Sequence, residues 1–306
     1  MKTRNPGPIV PCLWFDDQAE AAAAFYTSTF PESRVTATSH YPTSGSNPPG
    51  KPPGSVLTVE LEIAGQAFTA LNGGPMFTIN PTVSFFVQAD TAAEVEGLYA
   101  KLSEGGKTLI PLDKYPWSER YAWVQDRFGV GWQLMAGPPF SGGARIAPCL
   151  LFTGKQHGKA ERALETYARV FRDARIEVLE RYASGEGPEG AVKHGRLLVA
   201  GQTLAALDSH VPSEEAFNEA VSLQVMCKDQ SEIDYYWDAL AADGGEHGPC
   251  GWLKDKFGLS WQVVPVAIVQ WLNSTDVAAR DRAFDAVMKM KKLDIAAIEA
   301  AFAGKA

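Results

Sequence analysis

Cysteine, serine and glutamine stand at matching places in this chain, and their chemistry sets the first functional expectations. Cys12 lies in Ile9-Val10-Pro11-Cys12-Leu13-Trp14-Phe15, and Cys149 lies in Ile146-Ala147-Pro148-Cys149-Leu150-Leu151-Phe152. A cysteine inside an apolar run acts as a small hydrophobe, so a structural role is expected for both. Cys250 differs, because it sits between Gly248-Pro249 and Gly251-Trp252, where a thiol in a loop mouth can serve as a nucleophile or a redox group. No basic partner for it is evident along the chain. Gln133 and Gln262 follow Trp132 and Trp261. An amide both donates and accepts hydrogen bonds, which suits either a buried strand network or a ligand. Ser84 and Ser222 sit at strand starts, where a hydroxyl bonds local backbone or faces a ligand. Trp14, Trp117, Trp123, Trp132, Trp252 and Trp261 can supply aromatic walls, which suit planar or apolar small molecules.

Metal chemistry finds less support. His40, His157, His194, His210 and His247 are scattered rather than set at ligand spacing, and the four cysteines form no C-x-x-C pair. Four cysteines in 306 residues also fall short of a disulfide scaffold.

The elements that must position these residues repeat. The Pro-Cys-Leu stretch is followed in each half by a second matching block, Ala64-Gly65-Gln66-Ala67-Phe68-Thr69-Ala70-Leu71-Asn72 and Ala200-Gly201-Gln202-Thr203-Leu204-Ala205-Ala206-Leu207-Asp208. The third is Asp126-Arg127-Phe128-Gly129-Val130-Gly131-Trp132-Gln133 with Asp255-Lys256-Phe257-Gly258-Leu259-Ser260-Trp261-Gln262. Three blocks in one order, each about 130 to 140 positions apart, mark a tandem duplication of a domain rather than a solenoid repeat. The reading divides the chain into a first domain at 1–137, a linker at 138–144, a second domain at 145–266 and a tail at 267–306. The boundary stretch Gly137-Pro138-Pro139-Phe140-Ser141-Gly142-Gly143 breaks regular structure, and the tail pattern fits one or two amphipathic helices.

Periodicity within each half alternates. Pro11 to Phe15 is a short apolar strand, Gln18 to Phe30 a helix, Arg34 to His40 a weaker strand, and Ser55 to Ile63 a half-buried strand with Leu57, Val59, Leu61 and Ile63 on one face. Gly65-Gln66 turns into Ala67 to Leu71, and Asn72, like Asp208, takes a turn role. Val83 to Gln88 is a strand, Thr91 to Leu102 a helix, and Tyr121 to Met135 a closing hairpin. Each half therefore reads β-α-β-β-β twice, and the chain holds four such units. The Pro- and Gly-rich loop from Tyr41 to Gly54 is either a solvated connector or a lid over the first cup.

Composition excludes several classes. The chain is 45% hydrophobic, which rules out wholesale disorder, and its charge of -8 argues against a nucleic-acid or anionic-membrane surface. No apolar run reaches the roughly 20 residues of a membrane span. Met1 to Pro8 is polar, without the apolar core of a signal peptide, so a cytoplasmic location is expected.

These blocks resemble the vicinal oxygen chelate superfamily of glyoxalases, bleomycin-resistance proteins and extradiol dioxygenases. More narrowly, they resemble its PhnB-like branch, the 3-demethylubiquinone-9 3-methyltransferase domain family. Pro11-Cys12-Leu13-Trp14-Phe15-Asp16, Phe25-Tyr26, Ala70-Leu71-Asn72-Gly73-Gly74-Pro75 and the segments around Trp132 and Cys250 to Pro265 carry the likeness. It implies an α+β fold of tandem βαβββ modules forming two cup-shaped mixed sheets, a pseudo-dimer within one chain. The metal-dependent members' ligand positions fall, by this resemblance, at or beside Pro11-Cys12 and Pro148-Cys149, at Ser84 and Ser222, and at Gln133 and Gln262. Those side chains do not supply the nitrogen and carboxylate donors that a catalytic cation needs. Gly73-Gly74-Pro75 leads into a strand, so it reads as a turn rather than the loop of a methyl-donor fold.

The expectation is a protein that binds a small apolar or aromatic molecule, with no intrinsic metal and no cofactor, and with Trp14, Ser84, Trp132, Gln133, Ser222, Trp252 and Gln262 as ligand-binding residues. The alternative is an enzyme of the same superfamily, a metal-dependent lyase, isomerase or dioxygenase or a methyltransferase, with Cys250, His40 or Glu60 as candidate catalytic groups. A third possibility is a structural module whose cups are filled by side chains. Because both copies lie on one chain, it is expected to be able to exist as a monomer.

Overall fold

The computed structural model describes residues 9–43, 47, 50–209, 211 and 213–305. Ser44, Gly45, Ser46, Pro48 and Pro49 of the expected lid loop, together with His210, lie outside the described residues.

The first unit runs β1 (Ile9–Phe15), α1 (Ala19–Thr29), β2 (Arg34–His40), β3 (Val56–Ile63) and β4 (Gln66–Asn72). The second is β5 (Val83–Ala89), α2 (Ala92–Leu102), β6 (Lys107–Tyr115), β7 (Ser118–Gln125) and β8 (Gly131–Ala136). The third comprises β9 (Ile146–Phe152), α3 (Ala160–Val170), β10 (Arg175–Arg181), β11 (Val192–Val199) and β12 (Gln202–Asp208). The fourth comprises β13 (Val221–Cys227), α4 (Gln230–Ala241), β14 (Glu246–His247), β15 (Trp252–Lys254) and β16 (Ser260–Pro265). The tail forms α5 (Ile268–Leu272), α6 (Val277–Met288) and α7 (Ile295–Phe302), one helix more than its apolar pattern suggested.

The units do not pair in chain order. One eight-stranded sheet runs β14-β15-β16-β13-β1-β4-β3-β2, and the other runs β10-β11-β12-β9-β5-β8-β7-β6. The first sheet thus joins the first and fourth units, and the second joins the two middle ones. Each half of the duplication gives one unit to each sheet. The seams are antiparallel pairs, β1 on β13 with Cys12 opposite Ser222, and β5 on β9 with Ser84 opposite Cys149. Every sheet is therefore closed across the repeat boundary.

Alternation along the strands separates two environments. On β8, Trp132 and Leu134 face the helices, whereas Gln133 faces the concave side. On β16, Trp261 and Val263 do the same opposite Gln262. The helix-side residues of both sheets merge in one core, in which Phe68 of β4 meets Phe85 of β5 at 5.0 Å.

The repeated Asp-x-x-Gly motif belongs to this core. Asp126 Oδ1 accepts the Phe128 and Val130 amides at 2.8 and 3.1 Å, while Oδ2 accepts Tyr26 Oη–H at 2.9 Å and Trp132 Nε1–H at 2.8 Å. Asp255 does the same with Phe257, Leu259, Tyr167 and Trp261. Tyr26 belongs to the first sheet's unit and Asp126 to the second's. Tyr167 and Asp255 cross in the opposite sense, so two buried hydrogen bonds stitch the sheets reciprocally. A buried carboxylate is tolerable when its lone pairs are filled in this way.

Asn72 and Asp208 do more than turn the chain. Gln18, ahead of α1, makes no side-chain cap, and Asn72 Oδ1 accepts the Ala19 amide at 2.8 Å instead. Asp208 accepts the Gly158, Ala160 and Val192 amides at 2.7, 3.3 and 2.8 Å. Both thus satisfy helix-start donors from the end of a strand.

Candidate functional site

The two concave faces have diverged. In the first sheet the concavity holds a cavity of about 530 Å³, within the range of small-molecule sites. Cys12 and Trp14 come from β1, Thr58 and Glu60 from β3, Thr69 and Leu71 from β4, Gln224 from β13, Trp252 from β15 and Gln262 from β16. Ile268, Leu272, Phe284 and Val287 of α5 and α6 close it from above, so the tail roofs this cup. The roof is anchored on two sides. Asp281 of α6 accepts both the Thr43 amide and its hydroxyl at 3.0 Å, and the Gln230 side chain of α4 bonds Leu293 O and the Ile295 amide at 3.1 and 2.9 Å.

In the second sheet the same space is occupied by the protein itself. Phe86, Tyr121 and Phe140 are buried there with Ala147, Cys149 and Ala205, and Trp123 and Met135 pack against them. Phe140 comes from the stretch read as a linker, which here folds over the cup as a plug. Strand register makes the comparison residue by residue. Gln224 and Phe86 each stand beside the conserved-in-repeat glutamine of the last strand, Gln262 and Gln133. Thr69 and Ala205 each stand beside the cysteine of the opening strand, Cys12 and Cys149. Glu60 is opposite Thr69, and Arg196 is opposite Ala205. The open cup has polar groups where the filled cup has Phe86 and Ala205.

A hydrogen-bonded floor runs across the open cup. Thr69 Oγ1 donates to Glu60 Oε2 at 2.6 Å and lies 2.9 Å from the Gln224 amide oxygen. Gln224 Nε2 donates to Gln262 Oε1 at 3.3 Å, and Gln262 Nε2 donates to Ser222 Oγ at 2.9 Å. Glu60 opens onto the cavity, and burial pushes its carboxyl above the usual carboxylate range while the Thr69 and Thr58 hydroxyls pull it back. Among the described residues it has no cationic partner. At the wall, Trp14 meets Phe77 at 5.1 Å and Trp252 at 5.9 Å, both edge-on. Trp14 Nε1 donates to Gly74 O at 2.8 Å, and a Cβ on Gly73 would meet the indole at 2.2 Å. Gly73 is therefore the seat of a tryptophan. That pair does not fit a cradle for a methyl-donating nucleoside.

The residues named from sequence separate into groups. Trp14, Ser222, Trp252 and Gln262 come together at the open cup, with Ser222 behind the amide of Gln262. Ser84 and Gln133 lie in the filled cup, where Gln133 donates to Ser84 Oγ at 2.9 Å and accepts from Tyr121 Oη at 2.7 Å. Trp132 is a correction, since it stands on the opposite strand face, fully buried among Tyr26, Phe30 and Phe85. Glu60 lines the cavity and His40 does not. Cys250 reaches the rim with its Sγ 3.6 Å from Met288 Sδ, and burial raises its thiol above the ordinary value. His247 also lines the rim but is stacked on Trp237 at 4.4 Å, with Nε2 3.0 Å from the Trp237 carbonyl oxygen. Thr69, Gln224, Phe77 and the roof residues were not singled out. The contrast of Gln224 with Phe86 at equivalent repeat positions was the available signal for one of them.

The superfamily's cation positions can be tested on these side chains. Cys12 is buried, and its thiol is pushed up to about 12, so it stays protonated. Ser222 is engaged by Gln262, whose remaining oxygen accepts from Gln224. Hydroxyl, amide and neutral thiol do not fit a divalent metal. Among the described residues no group of three or more His, Cys, Asp and Glu side chains is set to hold one.

Comparison with known proteins gives one family and one fold. The family model described as 3-demethylubiquinone-9 3-methyltransferase matches residues 7–135 and again 144–264. A PhnB protein from Bacillus cereus is 35% identical over 42% of this chain and 98% of its own, with a TM-score of 0.38. Glyoxalase I from Zea mays is 13% identical over 86% of this chain and 92% of its own, with a TM-score of 0.54, a likeness of fold alone. No curated protein gives a significant match to this chain. Among the described residues no helix is long and apolar enough to cross a membrane.

Proposed function

The chain belongs to the 3-demethylubiquinone-9 3-methyltransferase (PhnB-like) family, on the vicinal oxygen chelate fold, and from that premise we propose that it binds a small, largely apolar molecule in the first cup. The observation that carries this reading is the asymmetry of the cups. One holds about 530 Å³ of space under a dedicated roof, while its counterpart is filled by Phe86, Tyr121 and Phe140. Packing favours filling an interior with side chains, so an open apolar cup beside a filled one marks the open cup as the place for a guest. Trp14, Phe77 and Trp252 offer aromatic edges and faces, and Gln224 and Gln262 offer donors and acceptors that fix orientation.

The repeat supplies its own test. Gln224→Phe copies the filled cup into the open one. It is expected to weaken binding of aromatic probes by more than about tenfold while the protein stays folded. Thermal-shift titration with naphthalene derivatives reads this directly, since a ligand of the native state raises the melting temperature. Unchanged shifts in Gln224→Phe would remove the cup from consideration.

A further inference from the structure

The open cup is apolar but carries unbalanced charge. Its described lining holds three carboxylates, Glu60, Glu219 and Glu246, against one lysine, Lys254, which is paired with Glu219 at 2.8 Å, and one histidine, His247, which is stacked on Trp237 at the rim. Glu60 is the innermost of the three carboxylates by its place on the floor, where it accepts from Thr69 and, among the described residues, has no cation beside it. Leaving a carboxyl unpaired in such a place costs folding free energy, and a hydrophobic side chain would fill it at no such cost. The filled cup lacks this arrangement, with Arg196 in place of Glu60 and Ala205 in place of Thr69. The aromatic set of Trp14, Phe77 and Trp252 shares the cavity with Glu60, and ring faces attract a cation as well as an apolar body.

We propose that the guest of this cup is a hydrophobic organic cation, an aromatic or alkyl amine whose positive nitrogen lies at Glu60 and whose apolar body lies among the three aromatic rings. This rests on the reading of the cup as a ligand site and deepens it. An ammonium group brought to Glu60 supplies the missing partner, and the carboxyl binds it as the carboxylate. Where Glu60 is protonated in the empty cup, binding releases that proton to solvent.

Three probes of one shape separate the possibilities, namely naphthylmethylamine as cation, naphthylmethanol as neutral analogue and naphthoate as anion, each titrated calorimetrically. In the wild type the amine is expected to bind at least about tenfold more tightly than the alcohol, and naphthoate more weakly than either. In Glu60→Gln the advantage of the amine over the alcohol is expected to disappear while the alcohol still binds. Measured in the wild type alone, the amine's affinity is expected to rise with pH as Glu60 ionises, above the ordinary carboxylate range because burial raises its carboxyl, and the amine stays protonated throughout. An alcohol that binds as well as the amine, a preference that survives Glu60→Gln, or a flat pH profile would overturn the cationic class and leave the cup reading standing. Failure of all three probes to bind, or equal binding by Gln224→Phe, would overturn both.

Discussion

Glu60 is a costly residue for the empty protein. Its neighbours on the strand face are Thr58 and, across the ladder, Thr69, and desolvation raises its carboxyl above the usual range. A carboxyl whose folded value lies above its unfolded value takes stability away as pH rises between the two, and takes none below both. Glu60→Gln is therefore expected to melt higher than the wild type at neutral pH, with the difference vanishing below about pH 4. Thermal melts across that range check the sign, and a variant less stable at neutral pH would contradict it. The buried Tyr–Asp bonds carry the opposite logic. Tyr26→Phe leaves Asp126 with one donor fewer in a buried site and is expected to cost about 1–3 kcal/mol in denaturant unfolding. The cysteines also separate. Cys12 and Cys149 are buried with thiols pushed up to about 12, so alkylation of the native protein is expected at Cys250, which shares the cavity rim, and a bound guest should slow it.

At the scale of elements, two pieces of chain outside the strands decide what each cup does. Phe140 of the stretch between the halves plugs one, and α5 and α6 roof the other without filling it. One of the roof's ties to the rest of the molecule is Asp281 with Thr43. Asp281→Ala is expected to loosen it and to speed guest release several-fold, measured as a dissociation rate, with little change if the roof is static and the guest enters elsewhere. Much of this element map was legible in the sequence, for physical reasons that can be named. The alternation Leu57, Val59, Leu61, Ile63 defines β3, and the helical spacing of Ala22 and Tyr26 defines α1. β6 escaped because Lys107, Pro111, Asp113 and Lys114 interrupt it, and the structure accommodates them by repeated register shifts against β7. The site was legible only in part. A strand pattern tells that Gln262 and Trp261 face opposite ways, yet it does not tell which side is the core. Trp132 was thus read as a wall when Asp126 holds it in the interior. Gln224 and the roof lie far along the chain from Glu60, and only the pairing of the first unit with the fourth brings them to it.

For the whole molecule, duplication on one chain has let two equivalent cups take different fates. Each sheet needs a unit from each half, and the halves are held together by β1 on β13 and β5 on β9, while the two Tyr–Asp bonds, each within one half, tie one sheet to the other. A separate copy is not required to complete either sheet, so small-angle scattering is expected to give a monomer, whereas a dimer that dissociates only on unfolding would contradict this. Such a design keeps one cup as packed interior and frees the other to carry polar and charged groups that a core would exclude. The most direct test is a crystal structure grown with naphthylmethylamine. The expected result is density for the amine in the first cup, its nitrogen within hydrogen-bond distance of Glu60 and its rings beside Trp14 and Trp252, with the second cup closed by Phe86 and Phe140. An amine seated in the second cup or only on the surface, with the first cup collapsed around its own side chains, would contradict it.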